Sequence, residues 1–220
     1  MIRHDLGPMG RRGVLALAAA ALGAGSVPTK RAAAQGPSGG SPIATIERLN
    51  DALLAAMKQG PQTPFRQRYR LLEPVIDQIF DLEQILAESI GLVWQNLPAE
   101  QKSELLAAFR RYTVSSYAAN FDSYNGQRFD TSPSLRRLGN DEVIVDTQII
   151  PPNGSPTLLD YVMRSEGDGW RVVDVLTNGS ISRVAVQRSD FRQLLLSGGV
   201  PALVAGLRNK VANLAGGMLA

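Results

Sequence analysis

Residues 158–195 read LLDYVMRSEGDGWRVVDVLTNGSISRVAVQRSDFRQLL, two period-two runs joined by Gly167-Asp168-Gly169. In the first run Leu159, Tyr161 and Met163 alternate with Asp160 and Arg164. Such alternation predicts a strand with one face covered. The second run sets Trp170, Val172 and Leu176 on one face and Val173 and Val175 on the other. A strand apolar on both faces needs cover on both sides. Helices supply one cover, and a cavity is a candidate for the other. The Gly-Asp-Gly link provides the positive φ values of a tight hairpin.

The rest of the chain must supply those covers. Ser41-Pro42 sets a capping serine before a proline at the first helical position. Ile43, Ile46, Leu49, Leu53 and Met57 follow at helical spacing, and Gly60-Pro61 ends the helix. Thr63-Pro64 predicts a second start, with Phe65, Tyr69, Leu72, Ile76 and Phe80 as its stripe. Pro74 inside that stripe predicts a kink or two short helices. Asp81 caps a third helix carrying Leu82, Ile85, Leu86 and Ile90. Pro98 opens the longest helix, to about Tyr124. Leu105, Phe109, Tyr112 and Ser116 lie on one face of it, with Leu106, Thr113, Tyr117 and Phe121 beside them.

Beta structure comes next. Residues 127–131 predict a short strand, and residues 142–150 a clear one. Val143, Val145, Thr147 and Ile149 share one face of the latter. Pro151-Pro152-Asn153-Gly154 turns the chain. After the hairpin, Ser189 or Asp190 caps a helix with Phe191, Leu194 and Leu195. Gly198-Gly199 breaks it, and a last helix carries Val200, Leu203, Leu207, Val211 and Leu214. Helices, then an antiparallel meander, then helices define an α+β class. The strands are too few for a barrel. A curved antiparallel sheet with helices across its concave face makes a cone, and a cone wider than its side chains leaves a pocket.

The N-terminus reads as an export signal. Arg11-Arg12 precede an apolar run over residues 14–24, and Ala32-Ala33-Ala34 set a cleavage point near Ala34. That run is too short to span a bilayer. The paired arginines suit the twin-arginine route, Gly13 and Val14 depart from its motif, and an ordinary secretion signal fits as well. The expected layout is a signal over residues 1–34, a flexible lead over 35–41, one domain over 42–214 and a tail over 215–220.

The signal matters to the charge argument. The chain has 23 Lys+Arg and 20 Asp+Glu. Arg3, Arg11, Arg12, Lys30, Arg31 and Asp5 all lie in the first 34 residues, which leaves 18 basic against 19 acidic residues. A nucleic-acid partner, which needs a basic face, loses its support. His4 is the only histidine and there is no cysteine. Past residue 34 this excludes cysteine nucleophiles, Ser-His-Asp triads, His- or Cys-held metals and disulfides. No residue pattern asks for a cofactor.

Three stretches carry a family resemblance: FDLEQILAESIGLVWQNLPAEQKSELLAAFRRYTVSSYAANFDSYNGQ (80–127), LDYVMR (159–164) and WRVVDVLTNGSISRVAVQRSDFRQLLLSGGVPALVAGLRNK (170–210). In order and spacing, over nearly all of residues 42–212, they resemble the MlaC family of periplasmic lipid carriers, the toluene-tolerance auxiliary transport proteins. ISRVAVQRSDF, with the twin arginines, is most similar to the hopanoid-associated HpnM branch. The resemblance implies an NTF2-like sheet around a deep apolar pocket for acyl chains. It implies a soluble periplasmic shuttle for a phospholipid or hopanoid that performs no reaction. Its implied partners are an inner-membrane MCE-domain ABC transporter complex and an outer-membrane lipoprotein complex.

A lipid pocket needs long apolar walls almost free of charge. The candidates are Phe80, Ile85, Ile90, Phe109, Tyr112, Val145, Thr147, Ile149, Leu159, Tyr161, Met163, Trp170, Val172 and Leu176. Core packing is the competing reading for each, and a one-residue error in strand phase swaps the faces. Asp174 has two readings. It is a catalytic carboxylate acting with Tyr161 or Tyr112 on an apolar small molecule, or it binds backbone amides around residues 178–180. Arg110-Arg111 and Arg136-Arg137 meet an anionic lipid or acidic partner, or form a solvated face. Arg66, Arg68 and Arg70 around Tyr69 suggest nucleic acid, against which export argues. A scaffold that docks a membrane complex and carries nothing is the third functional reading.

Overall fold

The computed structural model describes residues 40–216 apart from Asn140 and Asp168. The expected export signal and the last four residues lie outside the described residues. Helices α1 (Pro42–Lys58), α2 (Phe65–Ile79), α3 (Leu82–Ile90), α4 (Leu92–Gln95) and α5 (Ala99–Asn120) come first. Strands β1 (Arg128–Arg137), β2 (Glu142–Ile150), β3 (Thr157–Glu166), β4 (Gly169–Thr177) and β5 (Ile181–Ser182) follow, and α6 (Arg183–Leu214) closes the chain. The strands form one open antiparallel sheet in chain order. The α+β class expected from the sequence is the class observed.

Helix starts obey their capping chemistry. Ser41 Oγ accepts the Ala44 N–H at 3.1 Å ahead of Pro42, and Asp81 Oδ1 accepts the Gln84 N–H at 2.9 Å. Two expectations change. Helix α2 runs through Pro74 without a break. Its stripe of Phe65, Tyr69, Leu72 and Ile76 is buried along the whole length, and that packing outweighs the missing hydrogen bond. Helix α5 stops at Asn120, short of Tyr124. There Phe121 leaves the helix to stack on Tyr117, ring centroids 5.8 Å apart, and to meet Phe129 of β1 at 6.2 Å.

The end of α5 also explains a buried cation. The last carbonyls of a helix lack intrahelical partners. Tyr117 O takes the Phe121 N–H, and Ala118 O takes Arg68 Nε at 3.0 Å. Arg68 also donates to Thr63 O, so it joins α2 to α5 rather than meeting an external anion.

Strand β1 is twice as long as residues 127–131 suggest. It continues through Ser132-Pro133-Ser134 because β1 is an edge strand, where proline is tolerated, and its register shifts between Thr131 and Leu135. Strand β2 keeps its expected phase: Val143, Val145 and Thr147 are buried beneath the helices. Strand β4 does not. Tyr161 pairs with Val175, Val162 with Asp174 and Met163 with Val172, so Val173 is extra. This bulge reverses the phase beyond it. Val172 and Val175 both join the helix-covered core, while Val173 lies with Ile144, Val162 and Leu176 on the outer face. Leu176 is thereby moved off the inner face to which alternation assigned it.

Arg136 crosses the outer face, with Nε 2.7 Å from Asp146 Oδ1 and Nη2 2.7 Å from Asp160 Oδ2. Arg136 and Asp146 are both well exposed, so that pair adds under about 1 kcal/mol, while the burial of Asp160 offsets the attraction in the other. Helix α6 begins earlier than Ser189 or Asp190. Ser182 is its cap, with Oγ accepting the Ala185 N–H at 2.9 Å. The expected break holds at Gly198-Gly199, where Gly199 sits at φ +65°.

Arg68→Met keeps the aliphatic stem but strands two carbonyls. It is expected to lower unfolding free energy by about 2–3 kcal/mol, read as a reduced midpoint in urea with an unchanged slope.

Candidate functional site: an apolar cavity

Only part of the inner sheet face is covered. Ile46, Leu49, Leu72 and Ile76 of α1 and α2 share one core with Val143, Val145, Tyr161, Met163 and Val172. Past Tyr161 the register brings Ile149 opposite Thr157 and Leu159 opposite Thr177. Over that end of the sheet lies a cavity of about 400 Å³. Its size falls in the range of small-molecule and cofactor sites, ~300–1,000 Å³.

Four elements wall it. The α2–α3 junction gives Phe80, Leu82 and Ile85. The junction is held to the sheet by the Asp81 N–H on Val172 O at 2.9 Å, beside a Phe80–Val172 bridge. Helix α5 gives Phe109, Tyr112, Thr113, Ser116, Tyr117 and Asn120, spaced over three turns, and Phe121 follows just past its end. The sheet gives Ile149, Thr157, Leu159, Asp174, Val175 and Thr177, and the first turns of α6 give Arg183, Val184 and Gln187. Phe80 meets Tyr117 edge-on at 5.5 Å, and Phe109 meets Phe191 of α6 edge-on at 6.2 Å. These contacts stiffen the wall.

Six of the sequence candidates line the cavity: Phe80, Ile85, Phe109, Tyr112, Ile149 and Leu159. Ile90, Val145, Thr147, Tyr161, Met163 and Val172 are buried in the core beside it. Trp170 packs against that core from a separate groove near Arg48 and Gln78, and Leu176 lies on the outer face. The phase reversal at the bulge accounts for Leu176, and for Val175 taking its place. Sequence reasoning passed over Arg183, Val184 and Gln187, because the helix start was read too late. Their one available signal is the spacing of Arg183 and Gln187, four residues apart and therefore on one helical face.

Few ionisable groups line the cavity. Burial raises the pKa of the Tyr117 hydroxyl and, more strongly, that of Tyr161, so both stay protonated at ordinary pH. Thr113 Oγ1, in the wall, is buried without a hydrogen-bond partner, and the Tyr161 hydroxyl behind it faces that of Tyr117. Asp174 is committed elsewhere. Oδ1 accepts the Val175 and Val184 N–H groups at 2.7 and 3.0 Å, and Oδ2 accepts Ser182 Oγ at 2.5 Å. The carboxylate does bind backbone amides, at the start of α6 rather than at residues 178–180. Neither tyrosine named beside it in the catalytic reading is among its hydrogen-bond partners. Among the described residues no cluster of carboxylates could hold a metal.

An open sheet, helices over one face and one stiff apolar cavity at the uncovered end define a protein built to bind a bulky apolar ligand. The comparisons agree in family and fold. A family model described as MlaC protein matches residues 47–209, well over half of the chain. The chain belongs to the MlaC family, whose members are periplasmic. Among solved structures it is similar to the phospholipid-binding protein from Ralstonia solanacearum in complex with a phospholipid. The two share 23% identity and a TM-score of 0.69, over 80% of this chain and 99% of that one. No curated protein matches.

Asp174→Ala removes three acceptor contacts at the joint of β4 and α6. It is expected to destabilise the fold by about 2 kcal/mol and to speed amide exchange at Val184 and Ala185 before other helical amides.

Proposed function

We propose that this protein binds a phospholipid with its acyl chains in the cavity and carries it through the periplasm. The observation that carries this reading is the 400 Å³ apolar cavity in a chain of the MlaC family. The similar Ralstonia solanacearum protein, on the same fold, holds a phospholipid. Each methylene kept in such walls rather than in water gains about 0.8 kcal/mol, so ten of them give roughly 8 kcal/mol, which offsets the cost of having those methylenes outside a bilayer. Phe80, Ile85, Phe109, Tyr112, Ile149 and Leu159 are the proposed acyl-chain contacts.

The proposed route runs between an outer-membrane lipoprotein complex and an inner-membrane MCE-domain ABC transporter complex, with residues 1–34 directing export. Binding is favoured over catalysis because the carboxylate in the wall is occupied by backbone and serine donors. A hopanoid is the second cargo, favoured by the ISRVAVQRSDF segment and the paired arginines.

Native mass spectrometry of the protein, exported with its own N-terminal segment, is expected to show one diacyl phospholipid per chain. Ser116→Trp fills the middle of the α5 wall. Retained lipid should fall at least roughly tenfold while the melting temperature stays within a few degrees. A wild-type protein that leaves the cell empty and takes up no labelled phospholipid would overturn the reading.

A further inference from the structure

Two charged side chains line the cavity, and they differ in kind. Asp174 is saturated by the three donors described above. Arg183, the first residue of α6, is half buried and makes no hydrogen bond or ion pair with any described residue. A guanidinium against an apolar wall ordinarily takes a carboxylate or carbonyl, because its desolvated N–H groups are costly when unpaired. One helical turn on, Gln187 lines the same cavity. Its amide lies 3.1 Å from Ser89 Oγ, whose one proton goes to Ile85 O at 2.7 Å, so the amide donates one N–H to Ser89 and its second N–H has no protein acceptor among the described residues. The charge of Arg183 is felt inside the cavity: at Tyr117 it offsets part of the rise that burial imposes on the hydroxyl.

We propose that Arg183 and Gln187 form a head-group subsite that takes the phosphodiester anion of the bound lipid. This rests on the carrier reading above and adds a chemical selection to it. A phosphodiester has one negative charge on two non-bridging oxygens, which match two parallel N–H groups of a guanidinium. The Gln187 amide supplies a neutral donor beside them. A lipid without phosphate, such as a diacylglycerol or a triterpene, fills the apolar walls but leaves the guanidinium unpaired. The subsite reads the phosphate and not the alcohol esterified to it.

The test uses delipidated mature protein, given equimolar phosphatidylglycerol and diacylglycerol with the same acyl chains in mixed micelles. Native mass spectrometry reads the ratio bound. Wild type is expected to favour phosphatidylglycerol by roughly tenfold. Arg183→Gln should bring that ratio within about twofold of unity. Arg183→Lys keeps the charge without the planar fork and should fall between them. Excess inorganic phosphate should leave the wild-type ratio unchanged. If it abolishes the preference, the occupant is a free anion and the head-group assignment is overturned. A ratio unmoved in Arg183→Gln, or a wild type indifferent to the two lipids, overturns the subsite and leaves the carrier reading intact. A wild type that takes up neither lipid overturns the carrier reading, and the subsite with it.

Discussion

The carboxylate of Asp174 accepts Val184 N–H and Ser182 Oγ from the next element while a bulge beside it turns β4 over. The two features act together. The bulge inserts Val173 and reverses the phase, so that Val175 faces the helices where plain alternation would have put Asp174's neighbour outward. The carboxylate then holds the first turn of α6 against that end of the strand. Without the bulge the cavity would lose Val175 from its wall, and without the cap Arg183, Val184 and Gln187 would have no fixed position over it. The site is therefore made by how β4 ends.

A cavity of this size persists only if its walls do not collapse. Here the rigidity comes from aromatic contacts in series. Phe80 meets Tyr117, Tyr117 stacks on Phe121, and Phe121 reaches Phe129 on the edge strand. The string joins the α2–α3 junction, α5 and β1. Each of those elements is tied down separately: Asp81 N–H to Val172 O, Arg68 to the end of α5, and Asn50 Nδ2 to Thr131 Oγ1 at 3.1 Å. Collapse would have to break several such ties at once.

Much of the fold was legible because it rests on local chemistry. Ser41-Pro42, Asp81 and Gly198-Gly199 mark helix boundaries through capping and backbone freedom, and those boundaries stand where the residues put them. The phases of β2 and β3 follow from Val143, Val145, Tyr161 and Met163, an unbroken alternation. What failed was non-local. Pro133 signals a turn unless its strand lies at an edge, and edge position is a property of the whole sheet. The bulge in β4 leaves no mark in WRVVDVLT, where Val172, Val173 and Val175 are equally apolar. For the site, Phe80, Ile85, Phe109 and Tyr112 fell on the cavity wall, whereas Ile90, Val145, Tyr161 and Met163 fell in the core. Composition cannot separate the two, since both environments select the same side chains.

The break in α6 gives the last element two tasks. Residues 183–197 lie along the cavity and α3, and residues 200–214 pack on α5 with Val200, Leu203, Val204, Leu207 and Val211 buried. Gly206 lets the halves approach closely: a Cβ there would come within 2.8 Å of Leu194 Cδ1. The second half is thus fixed by the core, and the first half is held by two kinds of contact. Ser182, Asp174 and the Arg188 guanidinium on Glu88 O hold its polar side, with Nη2 2.7 Å from that oxygen, and Phe191 against Phe109 holds its apolar side. Val184 and Phe191 both reach the core, Leu194 and Leu195 pack against it, and the hydrogen bonds lie at partly exposed positions. The wall that bears Arg183 is therefore fixed at both ends, by Asp174 of β4 where the helix starts and by the core-packed second half beyond Gly199.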